Sequence, residues 1–85
     1  MKLIRISAIW CSSCLIMRSR VGELIKELPY DVEIDELDYE DEKAEELAKN
    51  FGLDIEILPI YIRTDNSKYS VGEKSKKEFR EFIEE

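Results

Sequence analysis

Cys11 and Cys14 are the only cysteines of the chain, and they stand two residues apart in Trp10-Cys11-Ser12-Ser13-Cys14. A pair at this spacing can supply half of a metal site or cycle between dithiol and disulfide. Upstream, Leu3-Ile4-Arg5-Ile6-Ser7-Ala8-Ile9 is short, apolar and β-branched, the pattern of a buried strand. Downstream, Met17, Val21, Leu24, Ile25 and Leu28 recur at helical spacing. The cysteines therefore fall where a strand ends and a helix starts. A helix N-terminus presents unpaired N–H groups and a partial positive charge, which favours a thiolate there. Residues three apart share one helix face, so a short disulfide can close between the two sulfurs without backbone rearrangement. This placement makes Cys11 the candidate nucleophile and Cys14, one turn further in and more buried, its resolving partner.

Three other readings compete. Tetrahedral zinc needs four ligands. The chain has no histidine and no third cysteine, so a Cys/His zinc site within one chain is excluded. Zinc or an iron–sulfur cluster held by the pooled cysteines of two chains stays open. So do two buried core cysteines without chemistry, and a non-enzymatic interaction domain that docks through acidic side chains.

The composition narrows the partners. Eighty-five residues make one small domain spanning 1–85, with a modest core. A net charge of −7 argues against nucleic acid and anionic membrane surfaces, and suits partners with basic faces. No apolar run approaches the length of a membrane span. Arg5 interrupts the opening apolar run and no small-residue cleavage site follows, so no signal peptide is expected and the protein is read as cytosolic. In that compartment a lone Cys-x-x-Cys points to redox or metal chemistry rather than a structural bridge.

The elements that must position the cysteines can be read in order. Met1 to Ile9 is a strand, covered on both sides. A helix follows from about Cys11 to Leu28 and is stopped by Pro29. Arg18 and Arg20 on it read as solvated, although Arg18 lies one turn beyond Cys14, where its charge could reach the thiols. Val32 to Leu37 alternates as a second strand. Asp38 to Asp41 caps a second helix, with Ala44, Leu47, Ala48 and Phe51 on its apolar face and Gly52 as a left-handed stop. Its acidic run, Glu40 to Glu46, reads as a solvated face. Leu53 to Leu58 leads to Pro59. Ile60 to Arg63 is a third strand, Thr64 to Lys68 a hairpin turn, and Lys68 to Val71 a fourth strand ended by Gly72. Ser75 to Glu85 is a last amphipathic helix, with Phe79, Phe82 and Ile83 inward and Lys74, Lys76 and Lys77 polar. The order β-α-β-α-β-β-α gives an α/β fold: a four-stranded mixed sheet with helices on both faces. Strands separated by helices are expected to run parallel, and the hairpin pair antiparallel. Cys11 lands at the edge formed by strand ends and helix N-termini.

This element order, Trp10-Cys11-Ser12-Ser13-Cys14 directly after the first strand, and the later Leu58-Pro59 resemble the thioredoxin and glutaredoxin superfamily over essentially the whole chain. The resemblance implies a thioredoxin-like fold. It implies a cis bond before Pro59, Pro59 packed beside the cysteines, and a Leu58 backbone that faces the sulfurs and binds an extended stretch of a partner. It also implies that Trp10 shields the thiolate and touches partners, and it gives Gly72 a family counterpart. Ser12 and Ser13 replace the Gly-Pro of thioredoxins and the Pro-Tyr of glutaredoxins, and their hydroxyls could donate to a thiolate. Arg5 stands where thioredoxins keep a buried aspartate, the usual proton acceptor for the resolving thiol. It could stabilise a thiolate by charge or reach the surface. The family reading is a minimal protein dithiol–disulfide oxidoreductase, monomeric and cytoplasmic. It would exchange a Cys11–Cys14 disulfide with protein partners and be recycled by a reductase or glutathione, with no organic cofactor and no metal.

Overall fold

Side chains alternate across a strand, so Leu3, Arg5 and Ser7 face one side of the first strand while Ile4, Ile6 and Ala8 face the other. Both sides are covered. The computed structural model describes residues 1–85 as β1 (Lys2–Ser7), α1 (Ser12–Glu27), β2 (Glu33–Asp38), α2 (Glu42–Asn50), β3 (Ile60–Arg63), β4 (Tyr69–Val71) and α3 (Lys76–Glu84). The element order is the expected one. The four strands form one mixed sheet in the order β2-β1-β3-β4. Beneath α1 and α3 lie Leu3, Met17, Val21, Leu24, Tyr61, Phe79, Phe82 and Ile83. On the α2 side lie Ile6, Ala8, Ala44, Leu58, Ile60 and Ile62, and Cys14 joins them. Each fully buried aliphatic side chain of this kind stabilises the fold by about 1.5–3 kcal/mol.

Local chemistry sets the ends of the elements. Asp41 caps α2, its carboxylate accepting the Lys43 amide at 3.0 Å. Gly52 then takes φ 67°, the left-handed stop expected after Phe51. Ser75 caps α3 rather than forming its first turn. Its hydroxyl accepts the Glu78 amide while Glu78 reaches back to the Ser75 amide, a reciprocal capping box.

Two expectations are corrected. The apolar run does not remain a strand to Ile9: β1 ends at Ser7, and Ile9 and Trp10 are exposed at 90% and 63%. The chain must turn there to start α1, and the Cys11 amide closes that turn on the Ala8 carbonyl at 3.3 Å. Strand direction also differs. β1 and β2 are parallel, as a helical crossover requires, but β3 runs antiparallel to β1 although α2 precedes it. The non-helical stretch 51–59 explains this. It carries the chain back along α2, so β3 enters the sheet at the end where β1 leaves it, with Ile60 opposite Ile6.

A buried charge lies under α1. Arg5 is 8% exposed, and its Nε donates to Glu36 Oε2 at 2.5 Å while Nη1 donates to the Tyr61 hydroxyl at 3.3 Å. The parallel register sets Glu36 directly opposite Arg5. Ser7 Oγ donates to Glu36 Oε1 at 3.1 Å, and Arg18 donates to the same oxygen from α1. Arg18 and Arg20 are therefore not simply solvated. Arg20 donates to the Lys74 carbonyl at 2.9 Å and ties α1 to the segment before α3.

Partial burial works against the charge on Glu36, but donation from Arg5, Ser7 and Arg18 outweighs it and holds the carboxyl below the ordinary carboxylate range. A carboxyl lowered in the fold contributes stability above its unfolded value that is lost as pH falls through the folded one. Glu36→Gln should therefore lower the urea midpoint at pH 7, and the gap from wild type should close below about pH 4. A gap independent of pH would show that the pairing does not stabilise the fold.

Candidate active site

Cys11 is the N-cap of α1, with extended backbone at φ −88° and ψ 113°. Its Sγ accepts the Cys14 amide at 3.4 Å, the position an oxygen occupies at most helix starts. The same sulfur lies 3.9 Å from the Leu58 carbonyl oxygen, to which its thiol donates. Leu58 and Pro59 are joined by a cis peptide bond and are both buried. The Pro59 carbonyl in turn accepts the Gly72 amide at 2.9 Å, with Gly72 at φ 82°. That backbone conformation favours glycine, which accounts for the residue type at the end of β4.

Cys14 lies beneath, 3% exposed against the partial exposure of Cys11. Burial, and then hydrogen bonding with Cys11, pushes its thiol up to about 11, while the charge of Arg18 acts the other way. Trp10 stands outside the core, its ring edge-on to Tyr39 at 5.4 Å between centroids. Ser12 is exposed and Ser13 half-buried, and the hydrogen-bond partners of Cys11 Sγ are backbone groups rather than their hydroxyls. Ile9 and Leu15, near the thiols in the chain, and Ile57, which precedes Leu58, are exposed apolar side chains. No group of three or more Cys, Asp or Glu side chains is arranged to hold a metal ion.

The thioredoxin family model matches residues 1–85. The chain belongs to the thioredoxin family. Thioredoxin-2 of a malaria parasite, described as a component of its protein secretion machinery, superposes with a TM-score of 0.72 at 19% identity, covering 98% of this chain and 80% of that one. A thioredoxin-like protein from Clostridium perfringens gives 0.71 at 19% identity, covering 98% and 68%. Oxidised thioredoxin O2 from Arabidopsis thaliana gives 0.68 at 17% identity, covering 98% and 71%. At these identities the likeness is one of fold. A comparison with curated proteins returns no match.

Within this thioredoxin fold the residues singled out from sequence come together: Cys11, Cys14, Leu58 and Pro59 meet at one end of the sheet, and Trp10, Ser12 and Ser13 form its outer surface. Sequence reading missed Glu36 and Tyr61, the partners of Arg5. The one available signal was the charge at Arg5 inside an apolar strand, which demanded a partner once buried. No helix is long and apolar enough to cross a membrane.

The two thiols should differ in reactivity. At pH 8 a thiol that titrates at about 11 is ionised to only about 0.1%. Timed alkylation with iodoacetamide, read by peptide mass, should modify Cys11 more than about tenfold faster than Cys14 in the folded protein. Equal rates would contradict the depth difference between the sulfurs.

Proposed function

We propose that this thioredoxin-family chain is a thiol–disulfide oxidoreductase acting on protein disulfides. The observation that supports it best is the seat of Cys11: a half-exposed sulfur at a helix N-cap, accepting a backbone amide, beside a backbone carbonyl, with a second thiol directly below. In the forward direction the Cys11 thiolate attacks one sulfur of the partner's disulfide. The partner's other sulfur leaves as a thiolate and takes a proton. Cys14 loses its proton, attacks Cys11 Sγ and displaces the partner's remaining sulfur. The partner gains two electrons and two protons, and Cys11–Cys14 is left as a disulfide. An extended stretch of the partner lies along the Leu58 backbone, with Trp10 offering an amphipathic face beside it. No organic cofactor takes part. A reductase or glutathione restores the dithiol, and the protein works as a monomer in the cytoplasm, where thiols stay reduced.

Reduction of insulin with dithiothreitol as the terminal reductant tests this reading. Cys11→Ser and Cys14→Ser should each lower turnover by more than about a hundredfold. Incubated without dithiothreitol, only Cys14→Ser should accumulate a covalent adduct with the test protein, which dithiothreitol added afterwards releases. Turnover retained in Cys11→Ser would refute the assignment.

A further inference from the structure

Cys14 has a task that its setting opposes, since it must attack as a thiolate from a buried position. Beside it opens a cavity of about 300 Å³, lined among others by Ser7, Ala8, Cys14, Leu15, Arg18 and Glu36. Arg18 comes from α1 and is drawn across to β2 by Glu36, whose other oxygen is held by Arg5. Two guanidinium groups therefore share one carboxylate. Tyr61 of β3 meets this group only as a neutral hydroxyl. Asp38 of β2 also borders the cavity, but it is exposed and occupied with the Glu40 amide. Arg18 is the one cationic side chain that lines the cavity with Cys14, although it is itself exposed and Glu36 and Asp38 border it too. Glu36 itself is a weak proton acceptor: three donors occupy it and hold its carboxyl below the ordinary range.

We propose that Arg18, anchored over the cavity by Glu36, supplies the positive charge that favours the Cys14 thiolate as it displaces the partner from Cys11. Glu36, Arg5 and Ser7 act through Arg18 as positioning residues. This rests on the oxidoreductase reading above. In the step concerned, the Cys14 thiol releases its proton to solvent through the cavity. Its sulfur forms the bond to Cys11 Sγ, the Cys11–partner S–S bond breaks, and the partner leaves as a thiolate that takes up a proton. Cys11 and Cys14 are oxidised to the disulfide as the partner is reduced.

One equivalent of 4,4′-dithiodipyridine, a neutral probe that Arg18 does not steer, separates the two steps in a stopped-flow experiment on the reduced protein. The first thiopyridone released reports attack by Cys11, and the second reports resolution by Cys14. Arg18→Met keeps the aliphatic stem and removes the charge. A tenfold loss of thiolate is offset about threefold by the greater nucleophilicity of the more basic sulfur, so the second phase should slow about threefold while the first is unchanged. Arg18→Lys should restore the second phase. Glu36→Gln, whose amide oxygen can still accept from Arg18, should slow it less than Arg18→Met does. A second phase unaltered in Arg18→Met would overturn the proposal. So would a large loss in Glu36→Gln alone, which would assign the thiol proton to the carboxylate. Wild-type protein that releases only one equivalent would refute the oxidoreductase reading itself, a result distinct from any effect of Arg18.

Discussion

At the start of α1 a sulfur does what an oxygen usually does. Cys11 Sγ accepts the Cys14 amide, so the sulfur we propose as the nucleophile is also the helix cap. A hydrogen bond from a backbone N–H strengthens when its acceptor is charged, and the helix dipole acts in the same sense. The other features of the site serve to keep this atom half-exposed while its neighbour one turn along is buried.

Two layers of packing hold that arrangement. Met17, Val21 and Leu24 fix α1 against the sheet, so its first turn cannot swing away. On the other side Cys14 packs with Ala8 and Leu58, which brings the backbone before β3 up to the sulfurs. The antiparallel entry of β3 is what makes this meeting possible. Had the chain crossed over as a helix to a parallel strand, Pro59 would have started at the far end of the sheet. Ile9 and Trp10 are left outside because the turn into α1 consumes the end of the apolar run.

Much of this could be read from residue order. The helical spacing of Met17, Val21 and Leu24, the alternation in β2 and the Cys-x-x-Cys at their junction are local signals, and local signals survive folding. Leu58-Pro59 was legible only through its resemblance to a family. What could not be read depends on pairing at a distance. Nothing near Arg5 in the chain announces Glu36, which lies 31 residues on and meets it only because β1 and β2 align in one particular register. Nothing in the sequence around Tyr61 marks it as a partner either; the antiparallel register sets it opposite Arg5. The direction of β3 was misread for a related reason: a rule about helical crossovers does not govern a connection whose second half is extended chain.

Beneath α1 this chain buries a guanidinium, Arg5, and the carboxylate that answers it comes from the neighbouring strand. The ion pair reaches the thiols through α1 rather than from directly below. Its surroundings leave Cys14 a reluctant acid, so the chemistry depends on whether the two sulfurs exchange electrons as one unit. The most direct test equilibrates the protein in glutathione or dithiothreitol buffers of graded potential, blocks free thiols by alkylation and counts the added groups by mass. The monomer should pass from two alkylated thiols to none in a single two-electron transition, about 30 mV per tenfold change in ratio. Two thiols that stay free across the whole range, or that disappear only in disulfide-linked dimers, would contradict the account.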